Sequence, residues 1–451
     1  MTITPADLTN PIDLSDAKFA GFLGDLQGNI LKGHGRRSTR NLFLTVAVGK
    51  GVAARAGMKA LAPLVTTAKQ QLDETAVFKA TGTPGGRVIV ALISRAGYKA
   101  MGTVAAKIPL DNDAFDAGMA NRRQILADPI STAWDPGFPV AAHAMVIVAD
   151  ASDALCRLSQ AEVIAKLGAG WKLAHVEAGQ AIFDDAGNGL EHFGYVDGRS
   201  QPLTLTEQTA KEDMANWNAA FGPDIVLVPD KAGTKGGDSM GSYLVFRKLE
   251  QDVAGFKATE AALADAQQRA AAAAGVPAPD RELAGAMMVG RFEDGTPTLL
   301  GAAPSGAEPF NDFNYDGDAD GHKCPVHAHI RKTNPRDGSE RPRIMARRGI
   351  PFGGGEGSGA PVGLLFMSYN RNIATQFEFI QQSWANNINF QVGGTGLDPI
   401  IGQGAGRRAA YPKCPIAWND THNHVGEFQQ YVTMRGGEYF FAPSISGLGN
   451  L

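Results

Sequence analysis

The 451-residue chain contains only three cysteines, Cys156, Cys324 and Cys414. No two of them have the CxxC spacing that is typical of zinc sites and thiol redox motifs. Three scattered thiols also fit a reducing compartment better than a disulfide framework. The cysteine content therefore argues against a zinc knuckle and against a small disulfide-linked scaffold.

The chain also lacks targeting and membrane signals. Residues 1–16, MTITPADLTNPIDLSD, show no basic segment followed by an apolar one and no twin arginine. No apolar run approaches the roughly 18 residues that a transmembrane helix requires. We therefore expect a cytoplasmic protein with no membrane span.

Excess positive charge is absent as well. The net charge is −4 and the pI is near 6.2, so nothing favours binding to nucleic acid or to an anionic membrane surface. The 44% hydrophobic and 20% charged residues are ordinary for a globular protein with a sizeable core. At roughly 100–200 residues per domain, the length allows several domains or one fold built from two halves.

Strands and helices are predicted in both halves of the chain. Five apolar runs rich in Val, Ile, Leu and Phe predict buried strands. They are NLFLTVAVG from 41, GRVIVALIS from 86, HAMVIVAD from 143, GSYLVFRKL from 241 and VGLLFMSYN from 362. The pattern predicts an α+β fold with helices packed on antiparallel sheets.

Three stretches between these strands predict helices, namely 57–76, the alanine-rich 259–275 and 374–387. The segment 222–240 is rich in glycine and contains prolines, so we place the boundary between the two halves within it. The predicted units are residues 1–225 and 226–451.

Histidine and positive charge are concentrated in HKCPVHAHIRKTNPR, residues 322–336. His327 and His329 form an H-x-H pair, as do His422 and His424. On a strand, residues i and i+2 share a face, so each pair could reach one metal ion. A non-haem metal enzyme is therefore one hypothesis, although an isolated H-x-H pair is weak evidence.

Aspartates Asp316, Asp318 and Asp320 precede this segment and match the opening of an EF-hand calcium loop. The twelfth position of the loop, which should be a bidentate glutamate, is His327. We therefore predict a solvated acidic loop here.

The arginines around this segment have two interpretations. A basic run is usually a solvated face. However, MARRGIPFGG places Arg347 and Arg348 beside apolar residues and glycines, which favours an anion or a carboxylate-bearing cofactor. Asp197 in HFGYVDGRSQP is by local sequence an ordinary Asp-Gly turn residue.

Several motifs occur together in an order that resembles one enzyme family. GYVDG (194–198), AHIRKTNPR (328–336) and RRGIPFG (347–353) resemble the distal-acid, proximal-histidine and distal-arginine segments of dye-decolourising peroxidases. The stretches LQGNILKGHGR, GSYLVFRKLEQ, GLDPIIGQG and RGGEYFFAPSIS are also similar to that family. The resemblance spans nearly the whole chain and is closest to the larger subclasses.

The resemblance implies a fold and a cofactor. The fold is a dimeric α+β, barrel-like arrangement of two ferredoxin-like halves. The first half carries the distal GxxDG motif, and the second carries the haem ligand and the distal arginine. The cofactor is haem b, held non-covalently and mostly by the second half.

The resemblance also implies roles for individual residues. His329 is the proximal ligand of the haem iron, and Asp398 is the acceptor behind it. Asp197 is the distal acid-base, and Arg347 stabilises the charge that develops as the O–O bond breaks. The further haem contacts implied by the family are Gly198, Arg199, Ser200, Asn334, Pro335, Arg336 and Arg347.

The resemblance also suggests how substrates are separated by size. Leu364 and Phe366 would keep the distal pocket apolar and small, so that peroxide enters and a bulky dye does not. Large donors would then give up electrons at the surface, and Trp384 and Tyr369 are the candidate relays. Trp384 could equally be a core residue of a helix. We expect His327 to point away from the haem.

The leading hypothesis is a haem b peroxidase. It would reduce hydrogen peroxide through an oxidised-haem intermediate and oxidise dyes, phenols or similar small-molecule donors, without nucleic acid or membrane, and as a homodimer. Two alternatives remain open from the residues. One is a protein that binds haem or removes its iron without turning over dyes, and the other is the non-haem metal enzyme.

Overall fold

The computed structural model describes residues 2–109, 113–138, 142–306, 310–354, 359–404 and 408–451. The strands are β1 (Ser38–Val46), β2 (Val88–Ser94), β3 (Ala144–Asp150), β4 (Trp171–Gln180), β5 (Ile182–Phe183), β6 (Gly189–Leu190), β7 (Val228–Pro229), β8 (Met240–Gln251), β9 (Ala346–Arg347), β10 (Ile350–Phe352), β11 (Gly363–Asn370), β12 (Arg408–Pro415), β13 (Asn423–Gln429) and β14 (Val432–Ala442).

The α-helices are α1 (Ala20–Asp25), α2 (Gly51–Leu61), α3 (Ala68–Thr81), α4 (Arg95–Met101), α5 (Asp113–Ala117), α6 (Arg123–Leu126), α7 (Asp153–Leu167), α8 (Thr206–Thr209), α9 (Val253–Ala274), α10 (Leu283–Val289), α11 (His329–Thr333) and α12 (Ile445–Leu448). Two π-helical turns, Ala374–Glu378 and Ile380–Ala385, follow β11. Within the described ranges, no helix is both long enough and apolar enough to cross a membrane.

Two copies of one strand arrangement build the main sheet. The order is β10-β11-β8-β14-β2-β3-β1-β4, and all of these neighbours are antiparallel. In the first half, β1 lies between β3 and β4, and β2 lies outside β3. In the second half, β8 lies between β11 and β14, and β10 lies outside β11. This is the order of a ferredoxin-like unit. The predicted α+β fold of two ferredoxin-like halves is confirmed, while the division at residue 225 stays a prediction.

The two halves meet in the middle of the sheet and again at its two edge strands. In the middle, strand β14 pairs with β2 through Phe440↔Ser94 and Phe441↔Ile93. At the edges, a Cβ added to Gly179 of β4 would lie 2.6 Å from Ile350 Cγ2 and 3.3 Å from Pro351 O of β10. The edge strands therefore approach each other, and the sheet curls toward a barrel.

The apolar runs predicted as strands occupy the middle of this sheet. Every side chain of β2 is buried, and β3 is buried from Ala144 to Ala149, because helices cover the face that does not point into the barrel. Strands buried on both faces carry continuous rather than alternating apolar sequence. All five predicted strands are present, as β1, β2, β3, β8 and β11.

The helix predicted over 57–76 is wrong as a single element. Helix α2 ends at Leu61 beside Pro63, and α3 begins only after Thr67, whose side chain accepts a hydrogen bond from Gln70 N. A proline ends one helix and a threonine N-cap starts the next. The alanine-rich helix begins earlier than predicted, at Val253, and ends at Gly275 with a φ of 71°.

Candidate functional site

His329 is the first residue of α11, and hydrogen bonds to the buried Asp318 side chain fix the loop before it. Asp318 accepts hydrogen bonds from Lys323 N at 3.0 Å, Cys324 N at 2.9 Å and Arg331 Nη1 at 3.2 Å. The Asp318 side chain is only 3% exposed. The prediction of a solvated acidic loop is therefore wrong for Asp318, which fixes the approach to His329.

The His329 imidazole lies between a buried carboxylate and a cavity. Its Nδ1 is 2.9 Å from Asp398 Oδ2 and 3.2 Å from Oδ1. The ring itself lines the cavity. Because Nδ1 faces Asp398, Nε2 is the nitrogen left for a ligand on the cavity side.

Asp398 is fully buried, yet its charge is well supported. Its Oδ1 accepts hydrogen bonds from Ile400 N at 2.8 Å and Ile401 N at 2.9 Å. Burial raises the pKa of Asp398, but attraction to His329 and these hydrogen bonds outweigh it, so the pKa lies below its ordinary value. The carboxylate can thus hold the imidazole in a single tautomer and orientation.

Asp197 reaches the same cavity from the first half of the chain. It closes a hairpin in which Asp197 N donates to Gly189 O at 2.9 Å and Leu190 bridges Val196. Its Oδ1 accepts a hydrogen bond from Gly198 N at 2.6 Å. The side chain is exposed to the cavity space, which leaves Oδ2 available to another donor.

Arg347 comes from β9 and is tied to the loop that carries Asp197. Its Nη2 donates to Arg199 O at 2.6 Å, and its backbone N donates to Gln201 Oε1 at 3.0 Å. Arg348 supports it from behind, since Nη1 donates to Arg347 O, Nε to Asn29 O and Nη2 to Ile30 O, each at 2.7 Å. The segment LQGNILKGHGR is therefore connected to Arg347 through Arg348.

The cavity that these residues share is large and mostly apolar. It offers about 230 Å³ to the centres of water molecules, more than ten times the roughly 10–15 Å³ that one water needs. On β11, Leu364 and Phe366 line it, while the alternating Leu365 and Met367 are buried on the other face. The apolar lining also includes Phe193, Val289, Met345, Phe377, Ile380, Ile400 and Ile401.

One side of the cavity carries buried cations with no carboxylate partner among the described residues. Arg336 donates to Asn311 O, Phe313 O, Ser200 Oγ and Asn311 Oδ1 at 2.5–2.8 Å, and its φ is 55°. Burial lowers its pKa to about 10. An anion in the cavity would offset the cost of burying this charge.

Two further residues on this side have unpartnered polar atoms. Asn334 Nδ2 and Oδ1 and Arg291 Nη2 are buried without a hydrogen-bond partner in the described part of the chain. Burial, followed by the charge of Arg336, lowers the pKa of Arg291 to about 9. Orphaned buried donors are costly, so this wall fits a bound group that carries carboxylates. A haem, with two propionates and flat apolar faces, has that chemistry.

Some of the other predicted residues line the cavity and some do not. Gly198, Arg199 and Ser200 line it, whereas Pro335 does not. Trp384 is 4% exposed and stacks on Phe390 with ring centroids 5.1 Å apart. Tyr369 is fully buried, and burial raises its pKa.

The H-x-H pairs do not form a metal centre. His327 precedes α11 outside any strand, is fully buried against Tyr411 at 4.5 Å and does not line the cavity. His422 is exposed and bonds Asp420. Within the ranges given above, no group of three His, Cys, Asp or Glu side chains is arranged to hold a metal ion.

Sequence reasoning missed Arg291 and Glu191, which both line the cavity. Arg291 stands in the unremarkable stretch VGRFEDG. Glu191 lies six residues before Asp197. An arginine following the apolar end of a helix was the available signal for the first. Nothing in the local pattern indicated the second.

Comparison with known proteins identifies the family. A family model described as the C-terminal part of Dyp-type peroxidases matches residues 192–389. The multifunctional dye peroxidase DyP2 of Amycolatopsis sp. (strain ATCC 39116 / 75iv2) is 40% identical over 99% of this chain and 100% of its own length. This chain belongs to the dye-decolourising peroxidase family.

Solved structures of dye-decolourising peroxidases agree with this assignment. A DyP-type peroxidase from Anabaena sp. superposes with a TM-score of 0.89 at 38% identity and covers 99% of both chains. The fungal enzyme from Auricularia auricula-judae gives 0.78 at 25% identity over 95% of this chain and 98% of its own. The family consists of haem-dependent peroxidases that act on hydrogen peroxide and dyes, and the chain is accordingly a peroxidase.

Proposed function

We propose that the protein binds haem b non-covalently, with His329 Nε2 as the proximal ligand of the iron. The His329–Asp398 pair at the base of a large apolar cavity is the observation that carries this proposal. An imidazole whose other nitrogen is held by a carboxylate is a strong donor. The absence of a CxxCH sequence supports the non-covalent form.

The cationic wall would hold the propionates. Arg336 and Arg291 offer buried guanidinium groups, and Asn334 offers an amide that has no hydrogen-bond partner among the described residues. Gly198, Arg199, Ser200, Pro335 and Arg347 complete the set that we propose from the family resemblance. Arginine suits this role because its donors match the two oxygens of a carboxylate.

When bound, the haem supplies the redox chemistry of peroxide cleavage. Asp197 would take the proton from one peroxide oxygen at its free Oδ2 and return it to the leaving oxygen. Arg347 would stabilise the negative charge on that oxygen, since its guanidinium is already oriented by Arg199 O. Leu364 and Phe366 would keep this space apolar and too small for bulky donors.

Electron donors would then be oxidised outside the cavity. We propose dyes and phenols as the donor class, and the name of the Amycolatopsis relative, a multifunctional dye peroxidase, supports this choice. Trp384 and Tyr369 remain the proposed relays. Location in the cytoplasm and assembly into a homodimer also stay predictions.

The decisive test compares wild type with three variants. We expect His329→Ala to lose the Soret band of bound haem. We expect Asp197→Asn and Arg347→Leu to keep that band but to slow the absorbance change on rapid mixing with peroxide, by about 10²–10⁴-fold for the acid-base residue. Wild-type protein that binds haem yet shows no spectral change with peroxide would favour the haem-handling alternative.

A further inference from the structure

Asp197 sits at the end of a short hairpin whose turn is closed by a hydrogen bond from Gly194 N to Glu191 O at 3.0 Å. The hairpin spans Gly189–Asp197, with Asp197 N donating to Gly189 O and Glu191 N donating to Tyr195 O at 3.1 Å. Between these two hydrogen bonds, the Leu190–Val196 bridge connects the two sides. A two-sided ribbon this short is marginally stable by itself.

The Glu191 side chain turns inward and stabilises that turn. Its Oε2 accepts a hydrogen bond from Phe193 N at 2.9 Å, and its Oε1 accepts one from Tyr195 N at 3.0 Å. Both donors are backbone groups within the hairpin, and the second is two residues from Asp197. The carboxylate thus satisfies two backbone N–H groups in addition to the turn's own hydrogen bond from Gly194 N to Glu191 O.

A third donor connects this carboxylate to the barrel. Gln251 Nε2 donates to Glu191 Oε2 at 2.5 Å. Gln251 is the last residue of β8, and its backbone N donates to Val362 O at 2.8 Å. The hairpin that carries Asp197 is therefore anchored to the main sheet through Glu191.

Glu191 also faces the cavity that Asp197 faces. Burial, with a smaller contribution from the charge of Asp197, raises the pKa of Glu191 to about 7, although the hydrogen bonds from Phe193, Tyr195 and Gln251 act in the opposite direction. The two carboxyl groups are thus close enough to interact. Burying the Glu191 carboxyl group lowers the stability of the folded protein. Its presence therefore fits a role in placing Asp197 better than a role in stabilising the fold.

We propose that Glu191 is the positioning residue for Asp197: its hydrogen bonds to the hairpin and to Gln251 set where the Asp197 carboxylate stands in the distal cavity. The inference rests on the proposed function of Asp197. Glu191 touches the hairpin rather than the peroxide, so it acts only through Asp197.

A double-mutant cycle tests this dependence. The variants are Glu191→Gln, Asp197→Asn and the combination, each loaded with haem, and the measurement is the second-order rate constant for the Soret change with peroxide, per bound haem. Glutamine keeps the size of the side chain but replaces one acceptor with an NH₂ group that cannot serve the three donors. We expect Glu191→Gln to lower the rate constant about 10–100-fold, as a misplaced acid-base group does.

In the Asp197→Asn background, Glu191→Gln should cause no further loss. Equal losses in both backgrounds, or no loss in either, would overturn the inference and leave the role of Asp197 intact. A rate constant unchanged by Asp197→Asn alone would instead overturn the proposed function of Asp197. The two failures are therefore distinguishable.

Two further variants distinguish a loss of positioning from a loss of folding. Gln251→Met removes the donor at the barrel side and keeps the hairpin's own hydrogen bonds, so it should show a smaller loss with the same dependence on Asp197. Glu177→Gln is the matched control, because Glu177 is a partly buried carboxylate that bonds Lys248 away from the cavity. We expect it to leave the rate constant unchanged.

Discussion

Asp398 Oδ2 lies 2.9 Å from His329 Nδ1, and the chain contains a second pair of the same type on its surface. Asp420 Oδ1 lies 2.7 Å from His422 Nδ1. The two distances are nearly equal, but the His329 and Asp398 side chains are 27% and 0% exposed, whereas those of His422 and Asp420 are 64% and 17% exposed. Burial shields the Asp398 carboxylate from water and strengthens its hydrogen bond to His329. This difference supports His329 rather than His422 as the proposed haem ligand.

Asp398→Asn should weaken haem binding by about 10–100-fold, the usual cost of losing the partner behind a metal-bound histidine. The amide cannot match the carboxylate in holding the imidazole N–H. Titration of haem-free protein with haem, followed by the Soret band, measures the change. Asp420→Asn is the matched control and should leave the affinity unaltered. Equal affinities for wild type and Asp398→Asn would show that Asp398 does not support His329.

Arg348→Lys should lower the free energy of unfolding by about 1–3 kcal/mol. Arg348 serves three backbone carbonyls, of Asn29, Ile30 and Arg347, from three different nitrogens. A lysine ammonium cannot reach all three positions of this planar fork. Denaturant unfolding measures the loss. Arg371→Lys, at a side chain 60% exposed, should change stability little, and a similar loss in both variants would contradict the prediction.

The Glu191→Gln variant should gain stability relative to wild type as pH rises from about 4.5 to about 7. Glu191 has a folded-state pKa near 7 against an ordinary value of 4.5. The folded protein therefore holds a proton that the unfolded chain has released, and wild type loses stability through this window. Below it, both states are protonated and the penalty vanishes.

The size of this pH effect should not exceed about 3 kcal/mol. Urea unfolding of haem-loaded wild type and Glu191→Gln at pH 4.5, 6 and 7.5 gives the difference between their free energies of unfolding. The contributions of the other titrating groups cancel in this difference. A constant difference across these three values would show that Glu191 titrates normally.

Trp384→Phe should slow the oxidation of bulky dyes while leaving the reaction with peroxide unchanged. The indole stacks on Phe390 and packs edge-on against Phe379, with ring centroids 5.5 Å apart. Steady-state rates with an anthraquinone dye and with a small phenol separate the two routes. Trp418→Phe, at an indole that donates to Thr298 O, is the control. Equal dye rates in wild type and Trp384→Phe would exclude Trp384 as a relay.

The strands of this fold were predictable and the helix boundaries less so. Buried strands such as VIVALIS are continuous apolar runs, and burial on both faces of the sheet demands that composition. The stretch 57–76 was predicted as one helix although Pro63 and Thr67 interrupt it. The prediction followed the local apolar periodicity and overlooked Pro63 and Thr67, which mark the boundary between the two helices.

The residues of the candidate site were found through motifs, not through their local environment. Asp197 alone is an Asp-Gly turn residue, and Asp318 was assigned to a solvated loop that the structure contradicts. Arg291 and Glu191 went unnoticed because their roles depend on side chains from other segments. Arg336, whose charge acts on Arg291, and Gln251, which donates to Glu191, lie 45 and 60 residues away in the chain.

By itself, the sequence determined the α+β class, the five central strands and the segments that resemble the peroxidase family. Those features depend on local composition and on short motifs, which consist of residues that are adjacent in the sequence. Only the tertiary structure decided that His329 and not His327 faces the cavity, that Arg336 and Arg291 are buried without a carboxylate partner among the described residues, and that Glu191 bonds the hairpin that carries Asp197. Burial and hydrogen-bond partners arise when distant segments pack together, so no local pattern specifies them.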